Sequence, residues 1–197
     1  EPKVGNTWAP EITYDDGAHH FLIFWASTIP GRFPETDESG RTDAKRPILN
    51  HRIYSTTTKD FKTFTPTRLH YDAGFNVIDA TLQKNGNEWL MFVKDETLNP
   101  APEKNVRLVH AKTPDGPFSP RSAPITGSYW AEGPTSIKIG DFWYVYFDKY
   151  RDHKFGVVRS RDLEHWEDIS DQLKMPSETR HGTVFRAPRE IVDNLKR

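Results

Sequence analysis

Apolar and polar positions along the chain follow a strand pattern nearly throughout. Phe21-Leu22-Ile23-Phe24-Trp25, Trp89-Leu90-Met91-Phe92-Val93 and Phe142-Trp143-Tyr144-Val145-Tyr146-Phe147 are short, branched or aromatic runs. Each follows a turn, Asp16-Gly17, Asn85-Gly86-Asn87 or Gly140-Asp141, which predicts a hairpin tip. Helical spacing emerges only after Pro188, where Ile191, Val192 and Leu195 share one face. The pattern predicts an all-β fold with a short C-terminal helix.

The three turns also mark an internal repeat, with Gly17, Gly86 and Gly140 separated by 69 and then 54 residues. A second marker follows each hairpin: an Asp three or four residues before an aromatic, as in Asp60 to Phe64, Asp115 to Phe118 and Asp162 to Trp166. This predicts a third strand, a turn whose Asp carboxylate caps backbone donors, and a fourth strand whose aromatic packs between neighbouring sheets. Strands recurring in fixed-order quartets fit the blades of a β-propeller better than a sandwich. The stretches Ile29 to Pro47 and Glu96 to Lys104 read as surface loops inside one domain covering residues 1–197.

Composition narrows the function. There is no Cys, which excludes a disulfide scaffold and a zinc–thiolate site. Lys and Arg number 27 against 28 Asp and Glu, so no basic surplus holds a phosphate backbone and nucleic acid is not expected as a partner. A mean hydropathy of -0.76 would suit a disordered chain, but a 13% aromatic content argues for a packed core. No apolar stretch nears the ~20 residues that span a bilayer, so a soluble protein without membrane contact is expected. The absence of Cys fits the periplasmic or extracellular location expected here, and fits a cytosolic one too; Glu1-Pro2-Lys3 shows no leader, so any signal peptide is expected to be removed or to lie outside this chain.

In a propeller the first strand of each repeat faces the axis, so the residues just before each hairpin should converge. They are Trp8-Ala9-Pro10-Glu11, Ile78-Asp79-Ala80-Thr81 and Trp130-Ala131-Glu132-Gly133-Pro134, with a carboxylate at or near the same place in all three. Paired carboxylates across a pocket suit glycoside hydrolysis: one protonates the leaving oxygen, the other activates water. The aromatic setting of Glu132 favours a raised pKa. Trp8 and Trp130 could offer flat surfaces to a sugar ring, and Arg180-His181-Gly182-Thr183-Val184-Phe185-Arg186 reads as the start of another inner strand. Adjacent His19 and His20 would point to opposite strand faces and cannot share a metal.

Taken together, Trp-Ala-Pro-Glu at 8–11, Ile-Asp at 78–79, Glu-Gly-Pro at 132–134 and His-Gly-Thr-Val at 181–184 resemble family 43 glycoside hydrolases, over essentially the whole chain. The resemblance implies a five-bladed β-propeller, of which about three blades and one strand are present. It implies an inverting glycosidase acting on arabinose-, xylose- or galactose-containing glycans. It further implies Glu132 as general acid, Asp79 as the carboxylate that tunes it, and substrate-binding places for Trp8, Trp130, Glu11, His181 and Arg186. No cofactor is required, although His181 would lie where such proteins hold an axial water or Ca²⁺. The family's base is an Asp upstream of the Trp-Ala-Pro segment, and none stands in the seven residues before Trp8. The resemblance therefore implies a base-bearing N-terminal blade outside these residues, and open sheet edges that would pair with it or with a dimer partner. The alternative is a non-catalytic carbohydrate-binding propeller.

Overall fold

A computed structural model describes residues 4–36, 50–176 and 179–195. It is all-β, with three antiparallel sheets and one short α-helix. The first sheet is a meander of β1 (Trp8–Asp15), β2 (His20–Ser27), β3 (Arg52–Thr58) and β4 (Arg68–Tyr71). The second contains β5 (Val77–Asn85), β6 (Glu88–Asp95) and β7 (Asn105–Ala111), and the third β8 (Glu132–Ile139), β9 (Phe142–Lys149), β10 (Lys154–Ser160) and β11 (Glu167–Asp168). All three predicted hairpins form, and each predicted apolar run lies on the second strand of its sheet. Within the Ile29 to Pro47 loop, residues 37–47 lie outside the described residues, and Pro34–Thr36 form one 3-10 turn.

The expected fourth strand of the second repeat is irregular. Residues 112–125 run beside β7 through isolated bonds, Ser119 N to His110 O (2.7 Å), Ser122 N to Leu108 O (2.9 Å) and Ile125 N to Val106 O (2.9 Å). Four prolines, at positions 114, 117, 120 and 124, remove donors that a continuous ladder needs.

Two cores hold the sheets together, and β6 belongs to both. Its Trp89, Met91 and Val93 pack with Leu22, Phe24 and Ile53 of the first sheet, while Leu90 and Phe92 pack with Trp143, Val145 and Phe147 of the third. Successive side chains of a strand point to opposite faces, so an unbroken apolar run is what a sheet covered on both sides requires. The repeating aromatic seals each seam as expected: Phe118 meets His70 and Tyr71 edge-on at 5.5 and 5.3 Å, and Trp166 meets Phe92 at 6.0 Å. Their counterpart Phe64 is 53% exposed, because no described sheet lies on that side of the first.

The Asp turns are realised in two repeats of three. Asp60 accepts the amides of Lys62 and Thr63 (both 2.8 Å), and Asp162 those of Glu164 (2.9 Å) and His165 (2.8 Å). Asp115 instead pairs with Arg68 of the first sheet, and its turn closes through Gly116 N to Thr113 O (3.1 Å). The helix α1 (Arg189–Asn194) forms after Pro188, but Ile191 and Leu195 are exposed, so its apolar face has no cover among the described residues. No helix of the described residues is long and apolar enough to cross a membrane.

Candidate active site

The innermost strands β1, β5 and β8 each carry a β-bulge at the same place. Pairing slips between Trp8 and Glu11, between Ile78 and Thr81, and between Glu132 and Thr135. The second bulge residue takes a left-handed backbone in every case, at φ 45° for Ala9, 53° for Asp79 and 58° for Gly133. Asp and Gly enter that region with little penalty, whereas Ala9 carries strain of about 1 kcal/mol. Aligning by bulges resolves three carboxylates expected at or near the same place into three different positions. Glu132 is the first bulge residue of its strand, Asp79 the second, and Glu11 the fourth, matching Thr81 and Thr135. The segment after the third sheet repeats the motif at His181, φ 43°. It does not form the expected strand. Val184 N donates to Thr135 Oγ1 (3.0 Å) and Arg186 to Lys138 O, side-chain contacts in place of a ladder, since the segment has no second strand of its own to pair with among the described residues.

These bulges bring Asp79, Glu132 and His181 together, with one donor atom of each within 4.8 Å of the others. The amide of Gly133 donates to Asp79 Oδ2 (2.9 Å), which ties the buried Asp to the residue after Glu132. The His181 ring lies against Gly133 so closely that a Cβ there would fall 2.6 Å from Nδ1, and its Nε2 is 3.4 Å from Glu132 Oε1. A cavity of about 190 Å³ opens beside the group, lined by Ala9, Glu11, Asp79, Pro134, His181 and Thr183 among others. Glu132 is not in its wall, because its carboxylate is turned onto Lys94, 2.9 Å from Nζ.

The electrostatics around Glu132 depart from the sequence expectation. Burial by itself would raise its pKa, but the hydrogen bond with His181 and the charge and hydrogen bond of Lys94 hold it at about 2. Arg180 adds a third cation, 3.6 Å from Glu132 Oε1, while also pairing with Asp148. Lys94 is 2% exposed, lies 4.6 Å from the Tyr150 ring centroid, and has a second carboxylate in Glu96 at 2.7 Å. Glu96 in turn binds Lys104 at 2.6 Å. Asp79 shifts upward because it is desolvated, against the pull of Lys94 and the Gly133 amide. Burial raises Glu11 to about 7, with the Thr81 hydroxyl opposing, and His181 is raised chiefly by its bond to Glu132.

Of the other expected site residues, Glu11 and His181 line the cavity; Trp8 and Trp130 do not. Trp8 is 42% exposed, stacks on buried His51 at 4.7 Å, and immediately precedes the cavity-lining Ala9. Trp130 is no bare platform: the Arg151 guanidinium lies 3.5 Å from its ring centroid. Arg186 sits at the far end of β8, bonded to Lys138 O, about 20 Å of strand away from Glu132. Sequence reasoning missed Lys94, Glu96 and Arg180. Lys94 left one trace, as a charge that directly prolongs the apolar run of β6, opposite Ile78.

The axial Ca²⁺ that family resemblance implies does not fit these donors. Calcium needs six to eight oxygen ligands. The cluster offers two carboxylates and an imidazole, and Glu132 already contacts Lys94 while Asp79 accepts an amide.

Solved structures share this fold. An exo-β-1,3-galactanase of Phanerochaete chrysosporium aligns with TM-score 0.59 at 7% identity, over 83% of this chain and 35% of that one. A family 117 glycoside hydrolase of Zobellia galactanivorans aligns with TM-score 0.60 at 13% identity, over 82% and 54%. At these identities the likeness shows a shared all-β fold. The sequence model of the family 43-related domain, described as a probable glycosyl hydrolase domain, matches residues 1–193, and the chain belongs to that family. A curated relative, the α-L-arabinofuranosidase of Bifidobacterium longum, is 30% identical over 159 residues, which are 70% of this chain and 14% of the relative.

Proposed function

We propose that the chain is the acid-bearing part of a glycoside hydrolase of the five-bladed propeller type, hydrolysing arabinose-, xylose- or galactose-containing glycans with inversion. Glu132 is the general acid and Asp79 the positioning carboxylate beside it. The observation that carries this reading is the Gly133 amide donating to Asp79 Oδ2, which locks the two carboxylates at a fixed offset. Their oxygens approach within 4.8 Å. That is too close for the pair that acts on the bond in an inverting enzyme, ~6.5–9.5 Å apart. Asp79 therefore tunes Glu132, and the base that activates water belongs to another segment. His181 orients Glu132 through Nε2.

In the free chain Glu132 is a carboxylate, whereas an acid must hold a proton. Lys94 supplies the means of changing state. When Glu132 takes up a proton, the Lys94 charge stays satisfied by Glu96, so protonation does not leave a buried unpaired cation.

The test is Glu132→Gln in the full-length protein. Release of sugar from arabinan, xylan and galactan oligosaccharides should fall at least about 100-fold, while calorimetric binding of the same oligosaccharides persists. Hydrolysis at the unmutated rate would refute the assignment. The ionised state of Glu132 favours a second reading, a carbohydrate-binding domain without turnover. Binding with no hydrolysis by the unmutated full-length protein would establish it.

A further inference from the structure

A second cavity, of about 450 Å³, opens at the other end of the inner strands, between β5, β8 and the segment 184–186. Its size lies within the ~300–1,000 Å³ of small-molecule sites. Its chemistry differs from that of the first. Lys84, Lys138 and Arg186 line it, and no carboxylate does. Lys84 is paired with Asp16 at 3.3 Å, but among the described residues neither Lys138 nor Arg186 forms an ion pair. Arg186 gives one donor to Lys138 O, which fixes the two cations on the same rim.

The wall also carries a polar group with nothing to bind. Ser136 is 1% exposed and its Oγ has no hydrogen-bond partner. A buried hydroxyl left unpaired costs about 1–3 kcal/mol, so such groups recur where a ligand or water completes them. Gln83 adds an amide, and the 74% exposed ring of Phe185 stands at the opening. Cations, a waiting hydroxyl, an amide and one open aromatic face match a ring-sized polyhydroxy compound that carries a carboxylate.

We propose that this cavity is a binding site for a carboxylated sugar, a uronic acid residue, separate from the Glu132 cluster and independent of hydrolysis there. Lys138 and Arg186 hold the carboxylate, Ser136 and Gln83 hydrogen-bond ring hydroxyls, and Phe185 covers one face.

The test is titration of the full-length protein with galacturonate and glucuronate, with galactose as neutral control and inorganic phosphate as plain oxyanion, by calorimetry and saturation-transfer NMR. Uronate should bind at least 10-fold more tightly than galactose. Lys138→Gln combined with Arg186→Gln should weaken it 10-fold or more, and Ser136→Ala, which keeps every charge, severalfold. Glu132→Gln should leave it unchanged. Galactose binding as tight as galacturonate would overturn the anionic assignment, and phosphate binding as tight as uronate would overturn the sugar. Uronate affinity unaltered in Ser136→Ala and in the double variant would place binding elsewhere and overturn the site.

Discussion

His70 sits on β4 with its imidazole between Phe24, stacked at 6.0 Å, and Phe118, edge-on at 5.5 Å, and neither ring nitrogen has a hydrogen-bond partner. It is 7% exposed. Desolvation, helped by the Arg68 charge and opposed by Asp115, lowers its pKa from 6.5 to about 4. The unfolded chain therefore binds a proton before the folded one does, and stability falls as pH drops below about 6.5 until the loss saturates near pH 4. At 1.36 kcal/mol per unit the loss is about 2 kcal/mol at pH 5 and about 3 kcal/mol when complete. Glu11 acts in the opposite sense. Its folded pKa of about 7 stands above the ordinary 4.5. The folded state takes up that proton first, and stability rises by a similar amount as pH falls from 7 to 4.5. The unmutated protein should thus show a shallow pH profile that hides both effects. His70→Phe keeps a ring in the cage and removes the charge. Urea unfolding followed by Trp fluorescence should give nearly equal stabilities at pH 8, and a variant about 2 kcal/mol more stable than the parent at pH 5. A difference between the two that stays constant within 0.5 kcal/mol, or so, across this range would refute the buried neutral imidazole.

Other predictions concern the site and the seams. Lys94→Met leaves Glu132 and Glu96 facing each other without their shared cation, and should cost about 3–5 kcal/mol in urea unfolding at neutral pH. The same variant should move the Glu132 carboxyl upward from about 2, read by carbon-detected NMR titration. Gly133→Ala places a Cβ 2.6 Å from His181 Nδ1 at φ 58°, so it should both lower stability by about 1 kcal/mol or more and displace the imidazole, seen as a changed His181 titration. Phe92→Ala, buried between the second and third sheets, should cost about 3–5 kcal/mol, whereas Phe64→Ala, more than half exposed, should cost under about 0.5 kcal/mol. Equal losses for the two would contradict the arrangement of cores described here.

The sheets were legible because their signals are local. A Gly-bearing turn between two β-branched or aromatic runs determines a hairpin within some twenty residues, or about two strands and a turn, and three such hairpins at similar spacing imply three like sheets. The unbroken apolar run of β6 belongs to the same class of evidence, since a strand covered on both faces has no room for polar positions. The residue types of the site were equally visible: Asp79, Glu132 and His181 could be named, and they do converge. Their relation to one another could not. Whether a carboxylate is first, second or fourth in a bulge depends on the pairing register with the neighbouring strand, and one residue of slip reverses the direction of a side chain. That placement separates Glu11 from Asp79. The charge state of Glu132 is more remote still from the sequence, because Lys94 comes from 38 positions earlier and Arg180 from 48 later. Their distances exist only once the second and third sheets and the C-terminal segment have packed. Local patterns encode which elements form; the pKa of a buried group is a sum over charges that only the assembled chain brings within a few ångströms.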